Sequence, residues 1–268
     1  MVAEKIDIGG LHERIRKQKP LVHHITNWVT IYDCANIVRA VGALPVMAHA
    51  KEEVEQMTSI AGALVLNIGT LTPKLIESMI LAGKKSNELG HPIVLDAVGV
   101  GATDLRTDSA KRLLDELQVD ILKGNSSEIA TLAGIKAETR GVEAISAGKS
   151  SKEIAKTLAK KIENVVVITG KQDAVSDGRK TYLIDNGHDM MGSIVGTGCM
   201  VASVIGAFAA VEKDYTLASA AALSFFGIAG ELASEKARGP GSYKEMFYDE
   251  IYNLDRDKLR KMQKITLA

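Results

Sequence analysis

The chain has 268 residues, of which 46% are hydrophobic and 25% are charged, proportions that are ordinary for a folded globular protein. Its 33 basic residues balance its 33 acidic residues, so the formal net charge is zero. This balance argues against a nucleic-acid-binding protein, which needs a basic face to meet phosphate. The length fits one large α/β domain better than two, and we interpret residues 1–268 as a single domain.

The two cysteines, Cys34 and Cys199, belong neither to a CxxC motif nor to a Cys/His cluster typical of zinc. So few thiols favour a reducing compartment. The first residues, MVAEKIDIGG, contain no apolar core of a signal peptide, and no run approaches the roughly 18 to 20 apolar residues of a membrane span. We therefore expect a cytoplasmic protein, with Cys34 in an inert core position.

Short apolar runs rich in β-branched residues recur along the chain, and each ends in polar residues or glycine. They cover residues 63–69, 92–97, 119–125 and 165–170. Continuous runs of this kind indicate strands that are covered on both faces, as in a parallel sheet. Helical patterns lie between them, at 72–87 and 151–161. The alternation of strand and helix predicts parallel strands joined by crossover helices.

The pattern changes near Asp177 and Gly178. The letters VSDG at 175–178, followed by RKTYLIDNG, predict a hairpin and therefore an antiparallel edge to the sheet. The last third of the chain predicts helices at 199–211, 217–236 and 244 to about 262. Together these elements predict an α/β fold with a central, mostly parallel sheet flanked by helices.

Polar residues follow the predicted strands, where ligands bind in open α/β sheets. Asp96 and Glu128 carry carboxylates that suit Mg²⁺, which usually binds one or two carboxylates together with waters and phosphates. Taken alone, Asp96 fits a buried turn aspartate equally well. Glu128 also fits the first turn of a helix, where it would complete a capping box with Asn125.

The segment SIVGTGCM at 193–200 precedes a long apolar helix. Glycines at 196 and 198 let the backbone come close to a ligand, and the free N–H groups of the first helical turn then face that ligand. The segment is neither a Walker A loop nor a Rossmann fingerprint, and a glycine pair before a helix is also typical of a tight turn. We interpret Gly196-Thr197-Gly198-Cys199 as the site of nucleotide phosphates.

Several single residues allow a functional and a structural interpretation. Lys123 could neutralise phosphate charge or be a solvated lysine at a strand end. Asn27 could bind a small substrate or act as a cap. His23 and His24 are adjacent, which suits neither one face of a strand nor a common metal spacing, so we interpret them as structural or pocket-lining. Met47 fits core packing more readily than substrate contact.

A resemblance runs along nearly the whole chain. Its carriers are HHITNWVT (23–30), ALPVMAHA (43–50), LVLNIGTL (64–71), IVLDAVGVGAT (93–103), ILKGNSSEI (121–129), VVITGKQD (166–173), GTGCM (196–200) and GPGSY (239–243). In this combination and order they resemble the hydroxyethylthiazole kinase family, whose members have a ribokinase-like fold. The combination is specific, although no single segment is.

The resemblance implies transfer of the ATP γ-phosphoryl group to the hydroxyl of 4-methyl-5-(2-hydroxyethyl)thiazole, in thiamine biosynthesis or salvage. It also implies a homotrimer with active sites between subunits. By position, Asp96 and Glu128 would bind magnesium, and Cys199 would lie beside the reacting hydroxyl. The expected nucleotide contacts are Lys123, Thr169, Gly196, Thr197 and Gly198. The expected thiazole contacts are Asn27, Met47, Gly69 and Gly196.

Two positions depart from the patterns of related proteins. Many family members have arginine where this chain has Lys123, so the charge is kept while the planar bidentate fork is lost. The wider ribokinase-like group ends its anion loop with GxGD, whose aspartate acts as base, whereas this chain has Cys199, as expected for thiazole kinases. Because phosphoryl transfer has a loose transition state, we expect Cys199 to position the hydroxyl with partial base character and without a phosphocysteine.

Three alternatives stay open at this point. A kinase of the same fold for another alcohol, such as hydroxymethylpyrimidine or a sugar, is disfavoured by Cys199 and by the segment at 23–27. An ATP-dependent dehydratase of the same fold, which repairs hydrated nicotinamide cofactors, would be expected to keep aspartate at position 199. A non-catalytic nucleotide- or thiazole-binding regulator is disfavoured because Asp96, Lys123 and Glu128 are all present.

Overall fold

The protein is described by a computed structural model that covers residues 2–3, 5–135 and 150–268. These residues form one ten-stranded sheet. Its strands are β1 Val2–Ala3, β2 Leu21–Ile25, β3 Leu44–Val46, β4 Ala63–Asn67, β5 Ile93–Asp96, β6 Ile121–Asn125, β7 Val165–Thr169, β8 Asp173–Ser176, β9 Thr181–Ile184 and β10 Ile265–Leu267.

Helices cover both faces of this sheet. They are α1 Ile8–Gln18, α2 Ile31–Val41, α3 Val54–Ile60, α4 Pro73–Leu89, α5 Asp104–Glu116, α6 Ser126–Leu132, α7 Ser151–Ile162, α8 Thr197–Ala209, α9 Tyr215–Lys236, α10 Pro240–Asn253 and α11 Arg256–Met262. A 3₁₀ helix, Asp189–Ser193, precedes α8.

The sheet has a parallel part and an antiparallel part. Its strand order is β1-β10-β9-β8-β7-β6-β5-β4-β2-β3, with parallel pairing from β3 to β7 and antiparallel pairing from β7 to β1. The predicted hairpin is the pair β8 and β9. The prediction of a mostly parallel sheet with an antiparallel edge is confirmed.

The strand order reverses between β2 and β4. The chain leaves β2 toward β3 on one side, then crosses back so that β4 lies on the other side of β2 and β5, β6 and β7 follow outward. The connections after β2 and β4 therefore diverge, and a crevice opens between them at the carboxyl ends of the strands. The residues that follow these two strands lie at this crevice.

Alternate residues of each central strand face opposite helical layers, because side chains alternate across a pleated strand. On β4, Ala63 and Val65 pack among residues of α1, α2, α8 and α9, whereas Leu64 and Leu66 pack among residues of α4, α5 and α7. All of β4 is buried. This two-sided burial explains why the sequence of the strand is a continuous apolar run.

The prediction of one helix from 244 to about 262 is wrong. The structure has two helices there, α10 and α11, because Leu254 adopts an extended conformation and Asp255 begins a new helix, its side chain accepting from the Lys258 N–H. A terminal strand, β10, then pairs with β9. Sequence reasoning also missed β2, which contains two histidines, and β3, which has three residues and a proline.

We expected no apolar run long enough to span a membrane, and one helix differs from this expectation. Helix α9 is long and apolar enough to cross a membrane by length and composition. In the fold, 83% of its apolar window is buried against other elements. Its composition therefore reflects its place in the core, where Ala220, Phe225 and Ile228 are fully enclosed.

Candidate active site

A buried ion pair lies at the carboxyl ends of β5 and β6. Lys123 Nζ is 3.0 Å from Asp96 Oδ1, and the two side chains are 5% and 0% exposed. Burial raises the pKa of Asp96 to about 6, and the Glu128 charge adds to this rise while the Lys123 ammonium opposes it. Burial alone would lower the pKa of Lys123, but the carboxylates of Asp96 and Glu128 outweigh it and raise that pKa. Lys123 is thus a buried cation, and its interpretation as a solvated lysine is wrong.

A chain of amide hydrogen bonds leads away from this ion pair. Asn67 ends β4 directly beside Asp96. Its Nδ2 donates to Asp96 Oδ2 at 2.7 Å, and its Oδ1 accepts from Asn27 Nδ2 at 2.9 Å and from the Gly69 N–H at 2.9 Å. Asn27, which follows β2, and Asn67 are both buried. The crevice between β2 and β4 is therefore bridged by two asparagine side chains.

Asn27 also connects this chain to helix α8. Its Nδ2 donates to Cys199 Sγ at 3.3 Å. Its Oδ1 accepts from the backbone N–H groups of Val29 and Thr30, at 3.1 Å each, and from Thr30 Oγ1 at 3.0 Å. These bonds fix the orientation of the amide. The Asn27 amide therefore holds the Cys199 sulfur as a hydrogen-bond acceptor at this contact.

The start of α8 provides backbone N–H groups beside the ion pair. Gly196 is the N-cap, with φ at +93°, and a β-carbon there would lie 2.5 Å from Thr30 Cγ2. The first turn of α8 contains no acidic residue, and within the described chain no side chain caps it. A β-carbon at Gly198 would lie 3.2 Å from Lys123 Nζ. An anion at this turn would meet the helix N-terminus and the lysine together.

Glu128 forms the capping box that its spacing predicts. Its Oε2 accepts from the Asn125 N–H at 2.7 Å, and Asn125 Oδ1 accepts from the Glu128 N–H at 2.9 Å. Its Oε1 accepts from the Gly99 N–H at 2.7 Å, so it also holds the loop after β5. Since a carboxylate offers about four lone-pair sites, these two bonds leave capacity for a cation.

The remaining predicted contacts lie around this centre. Gly69 follows β4, and its N–H is bound by Asn67. Thr197 begins α8, and its hydroxyl donates to the Met191 carbonyl at 3.2 Å. Half-buried Met47 follows β3, and half-buried Thr169 ends β7. These last two residues stand at the same sheet edge, on either side of the central group, because β3 and β7 flank the strands that carry it.

The two adjacent histidines and Cys34 are structural. His23 and His24 are buried on β2, and burial lowers the pKa of each. The two ring nitrogens of His23 lie 2.9 Å from Thr58 Oγ1 and 2.7 Å from the Ala48 carbonyl. Burial raises the pKa of the Cys34 thiol to about 11, which suits an inert core position. Their interpretation as structural residues is confirmed.

Sequence reasoning missed two residues that organise the site. Asn67 was visible as the polar end of an apolar run. Arg106, in the first turn of α5, gave no signal. Its Nη1 donates to the carbonyls of Ile68 and Val98, at 3.1 and 2.9 Å, and its Nη2 donates to the Gly69 carbonyl at 2.6 Å. Arg106 thereby ties together the loops that follow β4 and β5.

The donor set fits magnesium held with phosphate better than a metal held by protein alone. Among the described residues no group of three or more His, Cys, Asp or Glu side chains could enclose a metal ion. Magnesium is usually bound by one or two carboxylates, with waters and substrate phosphates completing its octahedron. Asp96 and Glu128 provide such carboxylates, close enough for the Glu128 charge to raise the Asp96 pKa.

Comparisons with known proteins agree with this arrangement. Residues 12–257 match the sequence profile of the hydroxyethylthiazole kinase family. A hydroxyethylthiazole kinase from Methanosarcina mazei is 58% identical over 251 residues, which cover 94% of this chain and 96% of that protein.

Solved structures match the fold over most of its length. The structure of the hydroxyethylthiazole kinase protein from Pyrococcus horikoshii has a TM-score of 0.90 and 42% identity, covering 97% of this chain and 98% of that one. A ribokinase-like superfamily protein from Enterococcus faecalis has a TM-score of 0.63 at 12% identity, covering 88% and 87%, a likeness of fold alone. The ribokinase-like fold is thus confirmed, and this chain belongs to the hydroxyethylthiazole kinase family.

Proposed function

We propose that this protein, as one kinase domain over residues 1–268, phosphorylates the hydroxyl of 4-methyl-5-(2-hydroxyethyl)thiazole with MgATP. The product is the thiazole phosphate used in thiamine biosynthesis or salvage. One observation carries the proposal: the first turn of α8 meets an amide and a buried cation at once. Cys199 Sγ lies 3.3 Å from Asn27 Nδ2, and a β-carbon at Gly198 would lie 3.2 Å from Lys123 Nζ.

This arrangement suits phosphoryl transfer to an alcohol. An alcohol held by Asn27 and Cys199 and a phosphate held by Gly198 and Lys123 would be neighbours. The bond between the γ-phosphorus and the β-γ bridging oxygen breaks, a bond from the alcohol oxygen to phosphorus forms, and the hydroxyl proton leaves. Since the transition state is loose, alignment and charge neutralisation supply most of the acceleration. Cys199 orients the hydroxyl with partial base character, and the proton that leaves the alcohol passes to solvent.

Each site residue has a place in this scheme. Asp96 and Glu128 would hold the magnesium ion, which neutralises phosphate charge when bound. The nucleotide contacts are Lys123, Thr169, Gly196, Thr197 and Gly198. The thiazole contacts are Asn27, Met47, Gly69 and Gly196. Family membership supports the choice of the thiazole over another alcohol.

The proposed role of Cys199 requires a free thiol. Both cysteines are unpaired, Cys34 in the core and Cys199 half-buried at the site. A reducing compartment keeps such thiols free. We therefore place the enzyme in the cytoplasm.

The active enzyme, on this proposal, is a homotrimer with sites between subunits. Large apolar side chains are exposed beside the site: Trp28 is 50% exposed, Val29 66%, Tyr32 76% and Val195 70%. They flank Asn27 and Gly196 in the chain. Exposed apolar groups favour association with another protein surface, and the position of these residues near Asn27 and Gly196 in the chain supports an interface at the site.

The variant Tyr32→Glu tests this interface. A charge placed in an apolar contact costs several kcal/mol, so the variant should sediment as a monomer while the wild type sediments as a trimer. Tyr252→Glu is the matched control, because Tyr252 is 64% exposed but lies at the far end of α10. A wild-type monomer would contradict the trimer, and an unchanged mass for Tyr32→Glu would place the interface elsewhere.

The test of the reaction is ATP consumption by the purified protein with Mg²⁺, comparing hydroxyethylthiazole, hydroxymethylpyrimidine and no acceptor. Turnover with the thiazole alone, abolished by chelation, is the expected result. Turnover with the pyrimidine alone would retain the phosphate site and discard the substrate. Binding of ATP without turnover on any acceptor would favour a dehydratase or a regulator.

A further inference from the structure

Asn67 lies between the residues proposed for the phosphates and those proposed for the alcohol. It is 1% exposed at the end of β4, where the strand order reverses. Asp96, on the phosphate side, accepts from its Nδ2, and Asn27, on the alcohol side, donates to its Oδ1. The Asn67 amide therefore uses its nitrogen on the phosphate side and its oxygen on the alcohol side.

We propose that Asn67 is a positioning residue, which fixes the alcohol relative to the transferred phosphoryl group by orienting Asn27 and, through it, Cys199. The proposal rests on the function proposed above. Asn67 itself touches neither reacting group. It acts on the alignment that phosphoryl transfer requires.

The direction of the hydrogen bonds follows from the chemistry of the groups. An ionised carboxylate only accepts, so Asp96 turns the Nδ2 of Asn67 toward itself. The Oδ1 of Asn67 then faces Asn27, which must present its own Nδ2. That same Nδ2 donates to Cys199 Sγ. Through two amides, the Asp96 carboxylate therefore supports the same orientation of Asn27 that the Val29 and Thr30 N–H groups favour, with the sulfur as an acceptor at this contact.

No other side chain of this size meets the same requirement. Aspartate at position 67 would place a second carboxylate beside Asp96 and would lack the N–H group that donates to it. Leucine would have neither donor nor acceptor. Asparagine offers a donor and an acceptor on opposite arms of one planar group, which is what the gap between β2 and β5 requires.

The experiment compares wild type with Asn67→Ala and the milder Asn67→Ser, which keeps one hydroxyl. The measured quantities are kcat, KM for each substrate, and the thiazole phosphate formed per ADP released. We expect kcat for the thiazole to fall about tenfold to a hundredfold, since small misplacements cost this much, while KM for ATP changes less than about threefold. The ratio of thiazole phosphate to ADP should also fall, because water then competes with a poorly held alcohol.

A double-mutant cycle identifies the route of the effect. If Asn67 acts through Asn27, the pair Asn27→Ala and Asn67→Ala should reduce transfer no further than Asn27→Ala alone. The control is Asn87→Ala. Asn87 also uses both arms of its amide, on the backbone of Gln118, but at the opposite edge of the sheet. It should lose stability and retain the ratio of thiazole phosphate to ADP.

The outcomes separate the two proposals. Wild-type protein that transfers nothing to the thiazole overturns the proposed function and the role of Asn67 with it. An active wild type with an unchanged product ratio in both Asn67 variants overturns the role of Asn67 alone. Additive losses in the cycle, or equal losses with Asn87→Ala, also overturn it, because they indicate a merely structural contribution.

Discussion

Among single residues, Cys199 is the one whose chemistry most directly concerns the proposed alcohol. The sulfur lies in the first turn of α8. Asn27 donates to it at 3.3 Å. A carboxylate at this position could accept the same hydrogen bond and would take the proton of an alcohol more readily than a thiol.

We therefore expect Cys199→Asp to keep kcat or to raise it by up to roughly tenfold, since a carboxylate is the better proton acceptor. A coupled assay of ADP release with the thiazole measures this. Cys199→Ala is the control and should be slower than wild type, because it removes both the acceptor and the contact with Asn27. An inactive but folded Cys199→Asp would count against a base at this position. Phosphate on Cys199 in a mass spectrum during turnover would show a covalent route instead.

At the scale of elements, the helices at this sheet edge begin in two different ways. Helix α6 begins with a complete capping box, in which Asn125 and Glu128 satisfy backbone N–H groups. Helix α8 begins at a glycine, with no side-chain cap among the described residues. Unsatisfied N–H groups at a helix start favour an anionic ligand. The contrast explains why the start of α8, rather than that of α6, suits phosphate.

Gly198→Val should raise the KM for ATP at least about tenfold, because a branched side chain beside Lys123 would hold the phosphates away from the backbone. Calorimetric titration with a non-hydrolysable ATP analogue measures the affinity directly. The matched control is Gly241→Val in the first turn of α10, where a β-carbon meets no described atom within 4 Å. A folded Gly198→Val with wild-type affinity would contradict the phosphate site.

Across the whole molecule, each buried histidine should make a separable, destabilising contribution in acid. Burial lowers the pKa of His12 and of His24 to about 4 from an ordinary 6.5, and Arg16 adds to the effect at His12. Below pH 6.5 these two histidines bind protons in the unfolded chain but stay neutral in the folded chain. Their contribution to the free energy of unfolding therefore falls until about pH 4. From pH 7 to pH 5 each histidine should cost about 2 kcal/mol.

His12→Gln should remove one such contribution. Glutamine does not titrate, and its amide can replace the contact between His12 Nε2 and the Val41 carbonyl. Urea unfolding at pH 7 and pH 5 measures the slope, with the exposed His188→Gln as control. Asp96 and Asp173, whose pKa values burial raises, act in the opposite sense, so the difference between variant and wild type is the relevant quantity. Equal slopes for the two variants would contradict the prediction.

Much of this fold follows from sequence because its signals are local. The apolar runs of β4 to β7 reflect burial of these strands on both faces. The turn before β9 reflects the hairpin that joins β8 and β9. The strand order β3-β2-β4 could not be predicted from the sequence, because it depends on which side of β2 each crossover connection takes. For the same reason local signals in the sequence point to the carboxylates at positions 96 and 128, whereas they do not point to Asn67 and Arg106. Asn67 contacts Asn27 and Asp96, and Arg106 contacts Gly69, across 29 to 40 residues of the chain, so these contacts exist only in the folded sheet.

The strand spacing of the sheet also sets a length scale for the reaction. The site residues Asn27, Asn67, Asp96 and Lys123 belong to consecutive neighbours β2, β4, β5 and β6. Three steps of about 4.8 Å separate the first strand from the last, so roughly 14 Å lies between their backbones. The side chains of Asn27 and Lys123 span this distance and meet at the first turn of α8. The residues proposed for the alcohol and those proposed for the phosphates belong to different strands of one sheet. Loops after β2 and β3 can therefore drift toward a new alcohol during evolution while the phosphate chemistry stays in place.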